Sequence, residues 1–376
     1  MDQHGGAADA AFGAALYRRL AAGDGNLVFS PASVAAALRM TLCGARGGTA
    51  AELAAALRLS GPQAAADGLR LLSAGLAEVQ SDGVVFRAPN TMWVQSGLPL
   101  EPGFVATLRE AAAVSVRDAD FRRAAGQARR EINDLVAKQT EDKITELVGP
   151  GSLDSATRLV LVNAIYLNAS WAHPFPEGAT EDGPFYPGGP QAGPPVTARM
   201  MRLRRDLRYL RGDGYQAVLL PYRGGRLAMT IVLPDGPLGS LPPGLAGELG
   251  GISGRARTRK VTLVLPRFRQ EAQFDLIPVL RQLGVEQAFG GGADFSGITT
   301  AEPLHIGAAV HKAYIDVAEW GTEAAAATSV AMAAAAMARP VDPVTVTVDH
   351  PFLFAITDTA TGLPLFLGQV TRPRQA

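Results

Sequence analysis

The sequence predicts an α+β fold with antiparallel sheets. Three observations indicate this class: helical patterns fill the first part of the chain, strand patterns dominate the last part, and the two do not alternate as they do in βαβ units. The chain has 376 residues, of which 47% are hydrophobic and 19% charged, so it is globular rather than disordered. A chain of this length buries about 75% of its unfolded surface and needs no metal or disulfide to fold. Length alone favours about two or three domains.

The first half of the chain reads mainly as helices. Residues 7–58 are helical with an interruption at Asn26–Pro31, where Ser30 and Pro31 begin a new helix because serine caps helix N-termini and proline suits the first turn. Glycines end that helix. The elements that follow are helices at 62–80 and 101–113, a strand at Val84–Gln95, an amphipathic helix within Ala124–Leu147 and a buried strand at Arg158–Leu167.

The second half reads mainly as strands. It is preceded by Gly183–Pro195, a stretch rich in proline and glycine that is either an interdomain linker or a long loop within one domain. Beyond this stretch we predict a series of strands, with helical structure continuing through Phe274–Leu283. The predicted strands are Gln216–Leu220, Ala228–Leu233, Lys260–Pro266, Val344–Val348, Phe352–Thr357 and Leu365–Val370.

Charge and cysteine content restrict the partners and the compartment. The 35 basic and 35 acidic residues cancel, so there is no electrostatic reason to expect nucleic acid or an anionic membrane as the partner. Cys43 is the one cysteine, which excludes an internal disulfide and a disulfide-framed secreted fold. Only four of the basic residues are lysines. With the heavy use of alanine, glycine and proline, this indicates the codon usage of a GC-rich, bacterial genome.

The N-terminus has no basic segment followed by an apolar one, so we expect no signal peptide and a cytoplasmic location. Nor does any window offer about 18 strongly apolar residues in succession, so we expect no transmembrane helix. The uncharged segment Ala324–Ala338 comes nearest, but it is short and mostly alanine.

Most catalytic signatures are absent. The chain has no Gly-x-Ser-x-Gly elbow, no Walker motif and no dinucleotide fingerprint, and its five histidines show no metal-ligand spacing. A Ser-His-Asp triad assembled from distant segments stays open. Taken singly, Ser30 reads as a helix cap, Cys43 as a small packed side chain and His311 as a buried core histidine.

The segment from Glu319 to Ala338 has two readings. Alanine content alone predicts a helix. With a period of two, however, Thr322, Ala324 and Ala326 share one uncharged face, and no proline or glycine interrupts 322–338. Small side chains let such a segment slide between existing strands. The segment therefore suits either an exposed loop or a strand within a sheet.

These residues, with motifs spread along the chain, resemble the serpin family over nearly the whole sequence. Each motif is weak alone, but their number, order and spacing are specific. They are Asn26–Ser33, Gly44–Thr49, Asn163–Tyr166, Trp171, Phe175, Thr180, Leu219–Tyr222, Met229, Leu233–Pro234, Leu283–Val285, Ala293–Gly297, His311–Ala313, Gly321–Thr328, Asp349–Phe354 and Leu365–Gly368.

The resemblance implies one metastable domain over residues 1–376, with three β-sheets, about eight or nine helices and an exposed reactive-centre loop at about 319–343. Gly183–Pro195 then becomes a loop within it. The resemblance also implies a monomeric suicide inhibitor of serine proteases that has no catalytic residues, cofactor or metal of its own. Polymerisation by loop–sheet insertion is a liability of such a fold. By family analogy, an extracellular location is the alternative to a cytoplasmic one.

Site residues carry over position by position. The scissile bond falls at Ala335–Ala336, with Ala334 and Met337 as the alternative positions. The loop hinge corresponds to Gly321, Thr322, Glu323, Ala324, Ala325, Ala326, Ala327 and Thr328. The residues matching the shutter beneath the opening sheet are Ser30, Ser33, Asn163 and His311, and those matching the breach where insertion starts are Trp171, Arg267 and Glu319.

The small residues at the scissile bond favour an elastase-like or subtilisin-like target over a trypsin-like one. Two positions depart from the family pattern: Trp320 stands where a charged residue is usual, and Gln369 where a basic residue is common. Two alternatives remain. One is a non-inhibitory serpin that acts as a binding or structural protein, and the other is a hydrolase with a dispersed triad.

Overall fold

The computed structural model describes residues 3–21, 25–80, 83–111, 114–322 and 343–374. Within these ranges the chain forms eight α-helices and sixteen strands. The helices are α1 Gln3–Leu20, α2 Pro31–Gly44, α3 Gly47–Leu57, α4 Pro62–Val79, α5 Pro102–Arg109, α6 Phe121–Gln139, α7 Leu245–Arg255 and α8 Leu276–Arg281. No helix in these ranges is long and apolar enough to cross a membrane.

The first eight strands are β1 Leu27–Phe29, β2 Val84–Arg87, β3 Asn90–Gln95, β4 Ser115–Ala119, β5 Leu159–Ser170, β6 Glu181–Phe185, β7 Val196–Gly212 and β8 Tyr215–Pro221. The other eight are β9 Leu227–Pro234, β10 Arg257–Pro266, β11 Phe268–Asp275, β12 Ile306–Ala318, β13 Gly321–Thr322, β14 Val344–Thr347, β15 Phe352–Asp358 and β16 Pro364–Val370. Helices dominate the first half and strands the second, so the α+β class is confirmed.

A seven-stranded sheet lies at the centre, in the order β11-β12-β13-β5-β3-β4, with β2 also paired to β5. Its inner strands β3, β5 and β12 are buried on both faces. Along β5, Leu159, Leu161 and Ile165 enter the main core, whereas Val160 and Val162 enter a second core under α6. This double burial explains why β5 reads as an uninterrupted apolar run in the sequence.

Hydrogen bonds join the remaining described strands into one nine-stranded sheet, in the order β1-β16-β15-β9-β8-β7-β10-β14, with β6 on β7. The resemblance implied two sheets here. The link between them is β7, whose residues 200–209 pair with β10 and whose residues 208–212 pair with β8. A 17-residue strand is long enough to belong to both halves.

Several predicted boundaries shift for local reasons. The helix predicted within 124–147 begins at Phe121 because the Asp120 side chain caps it, and it ends before Glu141 and Asp142, which both have positive φ. The strand predicted at 84–95 is two strands, β2 and β3, and Pro89 lies in the gap between them. Strands β4, β6, β7, β11 and β12 were not predicted as strands.

Candidate functional site

The predicted hinge starts inside the central sheet. Gly321 and Thr322 form β13, which pairs with β12 on one side and with Ser170 and Ala169 of β5 on the other. Below β13, β12 pairs directly with β5 in parallel, from Ile306 opposite Leu159 to Ala313 opposite Ile165. We call this directly paired stretch the seam. The sheet is therefore parted by two residues at one end and closed along the seam.

Glycine is required at position 321 by the closeness of β5. A Cβ atom there would lie 2.0 Å from the carbonyl oxygen of Ala169 and 2.8 Å from the Cα of Ser170, both of them backbone atoms. Any larger side chain would push β13 out of the sheet. The hinge glycine of the sequence motif thus has a steric reason in this fold.

Thr322 is fully buried and is anchored by its hydroxyl group. Its Oγ1 lies 2.6 Å from the hydroxyl of Tyr222, and the Tyr222 ring stacks on Trp171 with centroids 4.4 Å apart. Burial raises the pKa of Tyr222, so the phenol is neutral. Thr322, the second residue of the predicted hinge, is therefore held within the sheet by a side-chain hydrogen bond.

The turn before the hinge is fastened through Glu319. Its Oε1 accepts hydrogen bonds from Arg267 Nε at 2.7 Å and from Thr180 Oγ1 at 2.6 Å, and the carboxylate forms an ion pair with Arg267. Burial raises the pKa of Glu319, but these hydrogen bonds and the Arg267 charge outweigh it, so the net pKa is lowered. The carboxylate is ionised at neutral pH.

Backbone groups add to this attachment. The N–H of Phe175 donates to the Glu319 carbonyl at 2.9 Å, and the N–H of Trp171 donates to the Trp320 carbonyl at 2.8 Å. The indole N–H of Trp171 donates to the Ala318 carbonyl at 2.9 Å. The three predicted breach residues, Trp171, Arg267 and Glu319, therefore all bind the turn that precedes the hinge.

Both departures from the family pattern have partners. The indole N–H of Trp320 donates to Glu177 Oε1 at 2.7 Å, which joins the hinge turn to the segment after β5. Gln369 is buried. Its Oε1 accepts from the Tyr17 hydroxyl at 2.5 Å and its Nε2 donates to the Gly25 carbonyl at 2.8 Å.

A second set of predicted residues crosses the seam. The N–H of Ser30 donates to His311 Nε2 at 2.9 Å, so Nδ1 carries the ring proton and donates to Asn163 Oδ1. Asn163 Nδ2 in turn donates to Asn90 Oδ1. His311 and Asn163 are direct partners in the β12–β5 register, so this hydrogen bond joins the two strands that insertion would separate.

His311 is suited to a neutral structural role. Burial lowers its pKa to about 3. Ser33 takes part through its backbone N–H, which donates to Ser30 Oγ at 3.1 Å, so Ser30 is a helix cap as well as one of the residues predicted to form the shutter. Asn90 was not singled out in the sequence. The structure shows that Asn90 is a buried amide directly after the Ala88–Pro89 break between two strands. In the sequence, its position after that break is the one feature that marks it, and this is a weak signal.

Neither buried histidine among the described residues has the geometry of a catalytic triad. His350 contacts the Asp349 carboxylate through Nδ1 at 2.7 Å, but its Nε2 is engaged by the Pro234 carbonyl at 2.8 Å and faces no serine hydroxyl. Both ring nitrogens of His311 are engaged, one by a backbone N–H and the other by an amide oxygen, so no carboxylate orients the imidazole. In the described ranges no group of three His, Cys, Asp or Glu side chains is arranged to hold a metal ion.

The rest of the predicted loop lies outside the described residues. This applies to the hinge residues Glu323, Ala324, Ala325, Ala326, Ala327 and Thr328 and to the scissile pair Ala335 and Ala336. Their roles stay predictions.

Comparisons with known proteins agree with this site. A family model described as Serpin (serine protease inhibitor) matches residues 7–373. An uncharacterized serpin-like protein of Thermococcus kodakarensis is 38% identical over 96% of this chain and 83% of its own length. The leukocyte elastase inhibitor of Sus scrofa is 35% identical over 98% of this chain and 99% of its own.

Among solved structures, Serpin48 of the insect Tenebrio molitor matches with a TM-score of 0.83 and 31% identity, covering 100% of this chain and 99% of that one. The first of the relatives above is archaeal, so a bacterial source stays a prediction. The family model spans nearly the whole chain, and the relatives match it from end to end. The chain belongs to the serpin family of serine protease inhibitors.

Proposed function

We propose that the protein is a suicide-substrate inhibitor of serine proteases that acts by loop cleavage and insertion. The observation that carries the proposal is the hinge, of which Gly321 and Thr322 already lie between β12 and β5. A protease that cleaves the loop and becomes acylated to it would free residues after Thr322 to continue along the same path, parting the seam.

The energetics favour insertion. Each inserted residue exchanges one parallel β12–β5 ladder for two antiparallel ones, and each added hydrogen bond contributes about 1 kcal/mol net. About 15 inserted residues at ~3.3 Å each would carry the protease about 50 Å along the sheet. Its active site would be distorted before the acyl bond is hydrolysed.

The proposed targets are elastase-like or subtilisin-like serine proteases. The alanine-rich segment around Ala335 and Ala336 suits a small specificity pocket, and the nearest basic residue is Arg339. The relatedness to leukocyte elastase inhibitors supports the same class of target.

The test is incubation with pancreatic elastase and with subtilisin, followed by denaturing electrophoresis. We expect an SDS-resistant covalent complex and a rise in the melting temperature of the cleaved protein. The variant Thr322→Arg should be cleaved without forming a complex, because an arginine would be desolvated at a fully buried site. Thr197→Arg, at an exposed position of β7, is the matched control and should inhibit normally.

Cleavage of the unaltered loop with no complex and no thermal stabilisation would contradict the proposal. It would favour the non-inhibitory alternative. Unchanged inhibition by Thr322→Arg would instead refute insertion as the mechanism.

A further inference from the structure

A row of positive charge lies on one face of β7 and β10. Arg202 and Arg204 of β7 and Lys260 of β10 are all exposed. In the parts of the chain that the structure describes, their side chains form no hydrogen bond or ion pair. Elsewhere arginines meet acids, as Arg226 does with both Glu78 and Asp358. A high arginine content alone does not explain why these three side chains have no acidic partner while other arginines do.

The strand register places these charges together. Arg202, Arg204 and Arg208 alternate along β7 and so share one face, and Lys260 lies beside Asp206 on that face. Arg208 adds a further charge, although its guanidinium also donates to the Ala256 carbonyl at 3.3 Å. We call Arg202, Arg204, Arg208 and Lys260 the basic strip.

Acidic groups near the basic strip are few. Asp206 is the one acid on this face of β7 and β10, and β14 carries no charged residue. On β6, Glu181 is exposed opposite Met200 and so lies on the same face next to Arg202, whereas Asp182 lies on the other face and pairs with Arg199 at 3.3 Å. The four cations of the basic strip therefore outnumber the two acids on their face. A chain with zero net charge therefore presents a locally positive surface, which the summed charge conceals.

The basic strip lies beside the strand to which the reactive loop returns. Arg204 pairs with Thr262, which pairs with Thr345 of β14, so the three residues form one row across adjacent strands. At about 4.8 Å per strand, the Cα atoms of Arg204 and Thr345 are about 10 Å apart. β14 begins at Val344, eight residues after the proposed scissile position Ala336.

A protease engaged on the loop can reach this surface. Eight residues span at most about 28 Å when extended. A protease of about 220 residues has a radius of gyration of about 17 Å. Its body can therefore contact β14 and the neighbouring β10 and β7 while the loop occupies its substrate cleft.

We infer that the basic strip is a docking surface for an acidic patch on the target protease. It selects among proteases that share the preference for small residues, chiefly by raising the rate of encounter. The inference rests on the proposed inhibitory function, to which it adds the chemistry of the partner. Specificity would then have two determinants, the uncharged loop and the charged basic strip.

The experiment measures the second-order rate constant of complex formation with two forms of subtilisin. One form is made acidic and the other basic by substitutions outside the substrate cleft. The test variant is Arg202→Glu, Arg204→Glu, Lys260→Glu. The matched control is Arg109→Glu, Arg123→Glu, Arg130→Glu, which makes the same charge change at exposed positions of α5 and α6. The stoichiometry of inhibition of each variant shows whether its loop still inserts.

For the unaltered protein we expect the acidic form to react at least about tenfold faster at low salt, with the difference shrinking as salt is raised. The test variant should lose or reverse this preference at unchanged stoichiometry, and the control variant should keep it. An equal effect of the test and control variants would overturn the inference.

A preference that survives in the test variant would overturn it as well. A third result would also overturn the inference: the test variant is retained less on heparin or DNA columns but reacts with both proteases at unchanged rates. The partner of the basic strip would then be a polyanion. If neither form of subtilisin gives a covalent complex, the result counts against the proposed function itself. A complex that forms with both enzymes at equal rates counts only against the docking surface.

Discussion

Replacing Trp320 with phenylalanine keeps an aromatic ring but removes the N–H that donates to Glu177 Oε1 at 2.7 Å. This bond ties the hinge turn to the segment after β5. A hydrogen bond to a charged acceptor contributes about 1.5–3 kcal/mol when shielded. Because Glu177 is exposed, we expect the bond to contribute about 1 kcal/mol to holding the turn in place. Without it the turn leaves this position more often, and because we expect insertion to start from the held turn, the rate of insertion should fall by up to roughly fivefold.

The assay is the stoichiometry of inhibition with subtilisin. Insertion competes with hydrolysis of the acyl bond. As insertion slows, the ratio of inhibitor cleaved as a substrate to inhibitor trapped in the complex rises in inverse proportion to the insertion rate. We expect this ratio to rise about fivefold in Trp320→Phe and in Glu177→Ala. Glu177→Gln retains the Oε1 acceptor and should stay close to the unaltered protein. The double variant should resemble either single one, since both remove the same bond.

Two results would refute this reasoning. One is an unchanged stoichiometry in Trp320→Phe. The other is equal behaviour of Glu177→Gln and Glu177→Ala, which would mean that the carboxylate charge matters and not the hydrogen bond.

Three further predictions concern the same sheet. The unfolded state takes up a proton at His311 near pH 6.5, whereas the folded state does so near pH 3, so the free energy of unfolding should fall as pH falls between these values, by up to about 1.4 kcal/mol per pH unit. Denaturant titrations of His311→Gln should show a correspondingly shallower pH dependence. Gly321→Ala should weaken pairing of β13, because its Cβ would collide with the Ala169 carbonyl, and the cleaved variant should melt at a lower temperature than the cleaved unaltered protein. Mild heating should produce polymers by loop–sheet insertion, which size-exclusion chromatography would detect; a sample that remains monomeric would count against this prediction.

Local signals in the sequence were enough to predict the elements with strong patterns, such as β5 and the cap at Ser30. The resemblance to the serpin family then placed Ser30, Asn163 and His311 in one group, and the structure brings them together. Local patterns did not predict β7, because Arg205 interrupts the apolar alternation between Leu203 and Leu207. Nor could they place Asn90 next to Asn163, since that contact depends on pairing across 73 positions.

The sequence alone identified Trp320 as a departure from the family pattern, but it did not identify the hydrogen-bond partner of Trp320. Glu177 is 143 positions away, in a short 3-10 helix without a periodic signal. The local charge of the basic strip was similarly hidden, because it arises from the register of β7 against β10 and not from the composition of either strand.

Helix α6 lies over both strands of the seam. Its Ile132 and Val136 share a core with Val160 of β5 and Tyr314 of β12, so apolar contacts join the helix to the two strands that the proposed insertion would move apart. Separating the strands means shearing this contact before any new one forms. In the proposed mechanism the helix would therefore slow spontaneous expansion of the sheet, and it would resist the reverse motion equally once a strand lies beneath it.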